Sequence, residues 1–177
     1  MTVYVALLRG INVGGRTLKM DVLRSVAEDC GFGSVRTYIQ SGNVIFTSRS
    51  GAAKVGAQLH DAILGMTGID SRVVIRTAAQ LDTVVAGNPF GDRVNDPTKV
   101  SVGFLYDDTV PTVEAVDTAE YSPDEVVVVG EHAYLSTPNG MGKSKLVDPM
   151  MKRLGITGTV RNWRTTVTLR DLASATG

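Results

Sequence analysis

Two short polar segments carry the side chains best suited to bind a ligand. The first is Arg9–Gly15, with the sequence RGINVGG, and the second is Gln40–Asn43, with the sequence QSGN. Glycines allow backbone N–H groups to turn towards an anion, while guanidinium and amide groups add charge and hydrogen bonds. These segments predict an anion site with the candidate ligand-binding residues Arg9, Gly10, Asn12, Gly14, Gly15, Gln40, Ser41 and Asn43.

A purely structural role explains the same residues, and both interpretations stay open at this point. The glycine spacing in Arg9–Gly15 is not the dinucleotide pattern G-x-G-x-x-G, and the next helical pattern starts several residues beyond Gly15. Serine, glycine and asparagine are also common in hairpin turns, which accounts for most of Gln40–Asn43. A shared site requires that the fold bring the two segments together.

Two further candidates, Lys143 and Arg161, come from the basic C-terminal region. Lys143 lies in Gly140–Ser144 (GMGKS), but the pattern G-x-x-x-x-G-K-[ST] needs a glycine at Thr137, which excludes a P-loop. Lys143 can still meet a phosphate as a point charge. Arg161 precedes Trp163, and its planar guanidinium suits bidentate binding of phosphate or carboxylate. For Trp163, burial in the core is favoured over stacking on a base.

Residues for catalysis or metal binding are scarce. His60 and His132 have no Cys, Asp or Glu at metal-ligand spacing, so no metal is expected. Cys30 has no recognisable base beside it, and Ser41 is not in a G-x-S-x-G elbow. No cofactor motif is present, and the catalytic residues of any enzyme are unknown. General acid–base catalysis stays open because it leaves no sequence motif.

Apolar patterns in the first half predict six elements around these segments. The elements are a buried strand, a helix, a hairpin of two strands, a second helix and a final strand, at Val3–Leu8, Met20–Ala27, Val35–Gln40 with Val44–Thr47, Val55–Met66 and Arg72–Arg76. The order β-α-β-β-α-β is that of a ferredoxin-like subdomain. In that arrangement the third strand lies antiparallel between the first two. Arg9–Gly15 and Gln40–Asn43 should therefore open at the same edge of the sheet.

The second half predicts a smaller α+β subdomain, giving an α+β protein with the division 1–78 and 79–177 and a boundary between 76 and 88. No internal repeat is evident. The expected elements are a helix, a strand, an acidic helix or loop, a hairpin and two helices, at Ala78–Ala86, Val100–Tyr106, Thr112–Glu120, Glu125–Val129 with His132–Ser136, Lys145–Leu154 and Val167–Ala175.

Composition indicates the cellular compartment of the protein more than its function. The chain is 43% apolar, has no apolar run long enough to span a bilayer and has no signal-peptide pattern at its N-terminus. Its single cysteine cannot form an internal disulfide, which favours a reducing cytoplasm. No membrane partner is expected, and the oligomeric state is unknown.

Charge is unevenly distributed although the net charge is zero. Eight acids and no base lie between Asp107 and Glu131, and seven bases against two acids lie between Met141 and Gly177. Solvated faces explain this pattern, and so does a partner. One alternative function is therefore nucleic-acid binding through the basic C-terminal region and the sheet face, with Tyr4 and Phe46 stacking on bases. Another is a protein-interaction module with no small-molecule ligand.

Several motifs resemble a known family across essentially the whole chain. Leu7–Gly15 (LLRGINVGG), Thr37–Val44 (TYIQSGNV) and Arg161–Trp163 (RNW) closely resemble the bacterial domain-of-unknown-function family 1697, as do Asn88–Phe90 (NPF) and Lys143-Ser144. The resemblance implies two α+β subdomains, the first of them ferredoxin-like. It implies no activity.

Overall fold

The computed structural model describes residues 1–106, 119–147 and 158–176. These residues form two four-stranded antiparallel sheets with helices, which confirms the predicted α+β class. The backbone divides into two compact units, one comprising Met1–Thr83 with Thr168–Gly177 and the other Val84–Val167. The subdomain boundaries expected from the sequence stay a prediction. No helix in the described residues is long and apolar enough to cross a membrane.

The first sheet has the strand order β2-β3-β1-β4. Its strands and helices, in chain order, are β1 Thr2–Leu8, α1 Met20–Asp29, β2 Gly33–Tyr38, β3 Asn43–Ser48, α2 Ala52–Thr67 and β4 Val73–Thr77. β3 pairs antiparallel with both β1 and β2, so β1 and β2 point the same way. β4 pairs antiparallel with the other side of β1.

The core of the first unit forms because α1 and α2 each present an apolar stripe to one face of this sheet. Leu23 and Val26 of α1 and Leu59 and Ile63 of α2 are fully buried in one cluster with residues of β1 and β3. Gly68 ends α2 in the left-handed conformation, and its N–H donates to the Leu64 carbonyl. Both faces of β1 are buried, as its continuous apolar sequence predicts.

The second sheet has the order β6-β7-β5-β8. Its strands are β5 Val100–Leu105, β6 Glu125–Val129, β7 His132–Ser136 and β8 Gly158–Asn162, while α3 Ala78–Ala86 precedes them and α4 Trp163–Ser174 follows. The bounds of β6, β7 and α3 agree with the prediction. Most of the predicted elements at Thr112–Glu120 and Lys145–Leu154 lies outside the described residues.

The start of α4 differs from the sequence prediction, which placed this helix at Val167–Ala175. The helix begins at Trp163 because Asn162 caps it, its Oδ1 accepting a hydrogen bond of 2.8 Å from the Thr165 N–H. Apolar periodicity misses this first turn because two threonines and an arginine follow Trp163.

Candidate functional site

The two polar segments singled out in the sequence lie side by side. Leu7 of β1 pairs with Asn43 of β3, so the chain leaves β1 where β3 begins. The Leu8 N–H donates to the Gly42 carbonyl at 2.9 Å, and the Asn12 Nδ2 donates to the Gln40 carbonyl at 2.6 Å. The predicted convergence of Arg9–Gly15 and Gln40–Asn43 is therefore confirmed.

Asn12 holds together Arg9–Gly15 and Gln40–Asn43, the two segments that we call the loop pair. Its backbone is left-handed, with φ of 58°, a conformation that asparagine tolerates better than most residues. Its Oδ1 accepts a hydrogen bond of 2.8 Å from the Leu18 N–H, and its Nδ2 donates to the Leu18 carbonyl at 3.0 Å as well as to Gln40. The Asn12 amide thus holds the loop closed.

The hairpin turn occupies residues 39–42, whereas the predicted strands leave residues 41–43 for it, so it begins two residues and ends one residue earlier than expected. Asn43 belongs to β3 and is 0% exposed, with its Nδ2 donating to the Tyr38 carbonyl and the Ser41 Oγ, both at 2.9 Å. A Cβ at Gly42 would lie 2.9 Å from the Leu8 Cβ, so only glycine fits there. Asn43 and Gly42 thereby fix the turn.

A third segment, Asp70–Arg72, meets the same edge and was missed by the sequence prediction. The Arg9 N–H donates to the Arg72 carbonyl at 3.2 Å, and the Ser71 Oγ donates to the Arg9 carbonyl at 2.9 Å. The predicted strand order could have indicated this contact, because an antiparallel β4 beside β1 must start where β1 ends. Leu8 indeed pairs with Val73.

These segments enclose a cleft of about 340 Å³, which we call the Arg9 cleft. Its lining residues are Arg9, Gly10, Arg16, Asp70, Ser71 and Arg72. The Arg16 Nη1 donates to the Asp70 carbonyl at 3.3 Å, which draws Arg16 across the cleft. Within the described residues, no hydrogen bond or ion pair engages the exposed Arg9 side chain.

The Arg9 cleft is electropositive, since three arginines line it against the single carboxylate of Asp70. That carboxylate also faces His60, whose Nε2 lies 3.0 Å from the Asp70 Oδ1, while its Nδ1 lies 3.2 Å from the Asp61 Oδ1. The hydrogen bonds to Asp70 and then Asp61 raise the pKa of His60. Protonated His60 therefore offsets part of the negative charge of Asp70.

The remaining candidates differ in exposure and position. Gly14, Gly15 and Gln40 are exposed on the loop pair. Lys143 belongs to the second unit and lines a separate cleft of about 280 Å³, where Glu120 and Asp124 counter Lys143 and Lys145. A ligand role for these residues stays a prediction.

Arg161 is a buried residue of the second unit, 7% exposed, in β8. Its Nη1 donates to the Thr159 Oγ1 at 2.7 Å and to the Val160 carbonyl at 2.9 Å. Burial lowers its pKa to about 10, an effect that the charge of Tyr106 opposes, so Arg161 stays cationic at neutral pH. Its participation in a ligand site also stays a prediction.

Arg161 has a counterpart in the first unit, although the sequence shows no internal repeat. Arg76 lies in β4, which occupies the same place in its sheet as β8, and its Nη1 donates to the preceding Ile75 carbonyl at 2.8 Å. Each arginine is followed by a residue that caps the next helix, Thr77 or Asn162. The shared arrangement points to a structural role for both guanidinium groups.

The aromatic pair proposed for base stacking is buried, so that part of the nucleic-acid hypothesis is wrong. Tyr4 is 5% exposed and Phe46 is 0% exposed. The Phe32 ring stacks on Phe46 at 4.3 Å, and the Tyr4 hydroxyl donates to the Ser50 carbonyl at 2.9 Å. The cause is the packing of α1 and α2, which cover the sheet face that carries both rings.

The described residues contain no cluster of three or more His, Cys, Asp and Glu able to hold a metal ion. Cys30 is half-buried against the core of the first unit. Burial, assisted by Asp29, raises the pKa of its thiol, so the nucleophilic thiolate is disfavoured at neutral pH.

Comparison with known proteins identifies the family. The family model described as protein of unknown function (DUF1697) matches residues 1–134. The fold is similar to that of a conserved bacterial protein from Streptococcus pneumoniae, with a TM-score of 0.74, 20% identity and coverage of 98% of this chain and 99% of that one. A search of curated proteins finds no match. The chain therefore belongs to the DUF1697 family, and the structural similarity extends its fold over both units.

Proposed function

We propose that this member of the DUF1697 family binds a small phosphate- or nucleotide-bearing molecule in the Arg9 cleft. The observation that carries the proposal is the convergence of Arg9, Arg16 and Arg72 from two separate chain segments on one cleft. Guanidinium groups bind phosphate and carboxylate oxygens in pairs, with more directional hydrogen bonds than lysine provides. A volume of about 340 Å³ falls in the range of small-ligand sites.

The loop pair supplies the rigidity that such a site needs. Asn12 fixes Arg9–Gly15 against Leu18 and Gln40, and Ser71 fixes the backbone of Arg9. A site that is ordered before binding loses less conformational entropy when the ligand arrives. Arg9 itself is exposed and uncommitted within the described residues, which leaves its guanidinium available to an anion.

Titration of the protein with inorganic phosphate, pyrophosphate, sugar phosphates and nucleotides, followed by thermal shift, tests the proposal. Arg9→Ala should weaken binding of whichever anion stabilises the wild type by about tenfold or more, the scale of one charge-assisted hydrogen bond. Arg24→Ala is the matched control, because Arg24 is an exposed arginine of α1 that does not line the cleft. Equal losses in both variants would show only general electrostatics and would refute the site.

The other two functions suggested by the sequence stay predictions with less support. The nucleic-acid hypothesis retains the basic C-terminal region but has lost its stacking residues. Binding of single-stranded RNA with a steep salt dependence would revive it. The acidic segment of a protein-interaction module lies partly outside the described residues.

A further inference from the structure

The His60 ring lies between two carboxylates, one of which belongs to the Arg9 cleft. Its Nε2 lies 3.0 Å from the Asp70 Oδ1, and its Nδ1 lies 3.2 Å from the Asp61 Oδ1. An ionised carboxylate only accepts hydrogen bonds, and a neutral imidazole has a single N–H to donate. Both contacts are therefore satisfied only by the imidazolium. When the ring loses one proton, one of the two carboxylates faces a ring nitrogen that has no proton to donate.

No other charged group contacts the His60 ring in the part of the chain that the structure describes. Asp61 is beside His60 on α2, and Asp70 lies just beyond the end of this helix. α1 and β4 pack against α2, and none of their charged residues contacts the ring. These charged residues are Asp21, Arg24, Glu28, Asp29 and Arg76. The charge of His60 is thus balanced by Asp61 and Asp70 alone among these groups.

Asp70 connects His60 to the arginines of the cleft. It is the one carboxylate among the described residues that line the cleft, and the Arg16 Nη1 donates to its backbone carbonyl at 3.3 Å. Only a few covalent bonds separate that carbonyl from the Asp70 carboxyl carbon, which therefore lies within about 8 Å of the Arg16 Nη1. The Debye length at physiological ionic strength is also about 8 Å, so the two charges interact. A change in the charge of His60 therefore reaches the cleft through Asp70.

We propose that protonation of His60 controls anion binding in the Arg9 cleft, with Asp70 as the residue that transmits the change. This inference rests on the proposed function. Protonated His60 balances Asp70 and leaves the arginines of the cleft to the anion. Once His60 is neutral, Asp70 is an uncompensated negative charge that repels the anion and competes for the same guanidinium groups. Anion affinity is therefore highest below the pKa of His60 and falls as the pH rises through it.

Sulfate is the probe, because it stays a dianion over the pH range in which histidine titrates, whereas phosphate changes its own charge there. In NMR titrations at constant, low ionic strength, the wild type should bind sulfate about threefold more tightly at pH 6 than at pH 9. This is the effect of one charge on a dianion roughly 10 Å away in water. His60→Gln should bind equally at both pH values. Asp70→Asn should bind more tightly than the wild type at pH 9, because it removes the carboxylate and keeps the carbonyl that Arg16 contacts.

His132→Gln is the matched control, because His132 is the other histidine of the chain and lies in β7 of the second unit. It should keep the threefold ratio. The ring resonances of His60 give a readout that a merely structural role would not change. Saturating sulfate should raise the pKa of His60 by about half a unit, the reciprocal of a threefold change in affinity.

Two results separate this inference from the proposed function. A wild-type ratio near one, or a ratio unchanged in His60→Gln, would overturn the inference, and the proposed function would stand if Arg9→Ala still weakens sulfate binding. If neither sulfate nor any of the phosphate compounds named above bound at either pH, the proposed function would fail and this inference with it.

Discussion

Removal of the Asn12 side chain should open the loop pair, because its amide group hydrogen-bonds to both Leu18 and Gln40. Its three hydrogen bonds reach the Leu18 N–H, the Leu18 carbonyl and the Gln40 carbonyl at 2.8, 3.0 and 2.6 Å. Asn12→Gly removes these bonds and keeps a residue suited to φ of 58°. Asn12→Ala removes the same bonds and adds a Cβ that disfavours this conformation. The two variants therefore separate hydrogen bonding from backbone strain.

The expected loss of unfolding free energy in both variants is modest, because the hydrogen bonds of Asn12 are partly exposed to water. Hydrogen bonds contribute roughly 0.5–1.5 kcal/mol each to stability, and the exposed bond to Gln40 belongs at the low end. Asn12→Gly should lower the free energy of unfolding by about 2 kcal/mol. Asn12→Ala should lower it by about 3 kcal/mol, because a left-handed alanine costs about 1 kcal/mol more. For a chain of this length, 3 kcal/mol corresponds to a Tm lower by roughly 6–12 °C.

Urea denaturation followed by circular dichroism, together with thermal melts, measures these differences. Asn95→Ala provides the control, because Asn95 is exposed and makes no side-chain hydrogen bond within the described residues. Its effect should stay within about 0.5 kcal/mol. If Asn12→Gly were as stable as Asn95→Ala, the amide would not brace the loops. If Asn12→Ala matched Asn12→Gly, the left-handed backbone would contribute nothing.

Three other substitutions test the fold and its pH dependence. Because the pKa of His60 is raised in the folded protein, its stabilising effect is complete below its ordinary value of about 6.5 and is lost as the pH rises through the folded value. His60→Gln should lower the free energy of unfolding by less than about 1 kcal/mol at pH 6 and not at pH 9; equal urea midpoint shifts at both pH values would contradict this. Gly42→Ala, with φ of 75° and no room for a Cβ, should lower the Tm, whereas Gly65→Ala in α2 should not. Gly158→Ala would push a Cβ into the Phe104 carbonyl and should destabilise the second unit by about 2 kcal/mol or more; an unchanged hydrogen-exchange rate in β5 and β8 would refute that packing.

The sequence predicts the loop pair because the relevant signals are local. Continuous apolar residues identify β1, helical periodicity identifies α1 and α2, and the order of these elements places β3 beside β1. The convergence of Arg9–Gly15 and Gln40–Asn43 then follows from chain direction alone. The contribution of Asp70–Arg72 follows from the same reasoning, but this segment has neither a glycine cluster nor a motif that draws attention to it.

Features that depend on a single dihedral angle or a covered face could not be predicted in this way. The left-handed Ile39 contradicts its residue type, and nothing in the local sequence announces it. The burial of Tyr4 and Phe46 depends on which face of the sheet α1 and α2 cover, whereas alternation along a strand gives only relative sides. Asn162, which caps α4, lies before the apolar residues that predict this helix, so the pattern does not reveal the cap.

Residue type also fails to reveal whether a polar group is available to a ligand. Asn12 and Asn43 have side chains that can hydrogen-bond to a ligand, as Arg9 has, yet the fold uses both amides to close its own loops. The Arg9 side chain has no such partner within the described residues. Substitution of Asn12 should therefore reduce stability and anion affinity together, because it moves the loop that carries the arginines. Substitution of Arg9 should reduce affinity alone, and a loss of stability equal to that of Asn12→Gly would show that Arg9, too, is part of the scaffold.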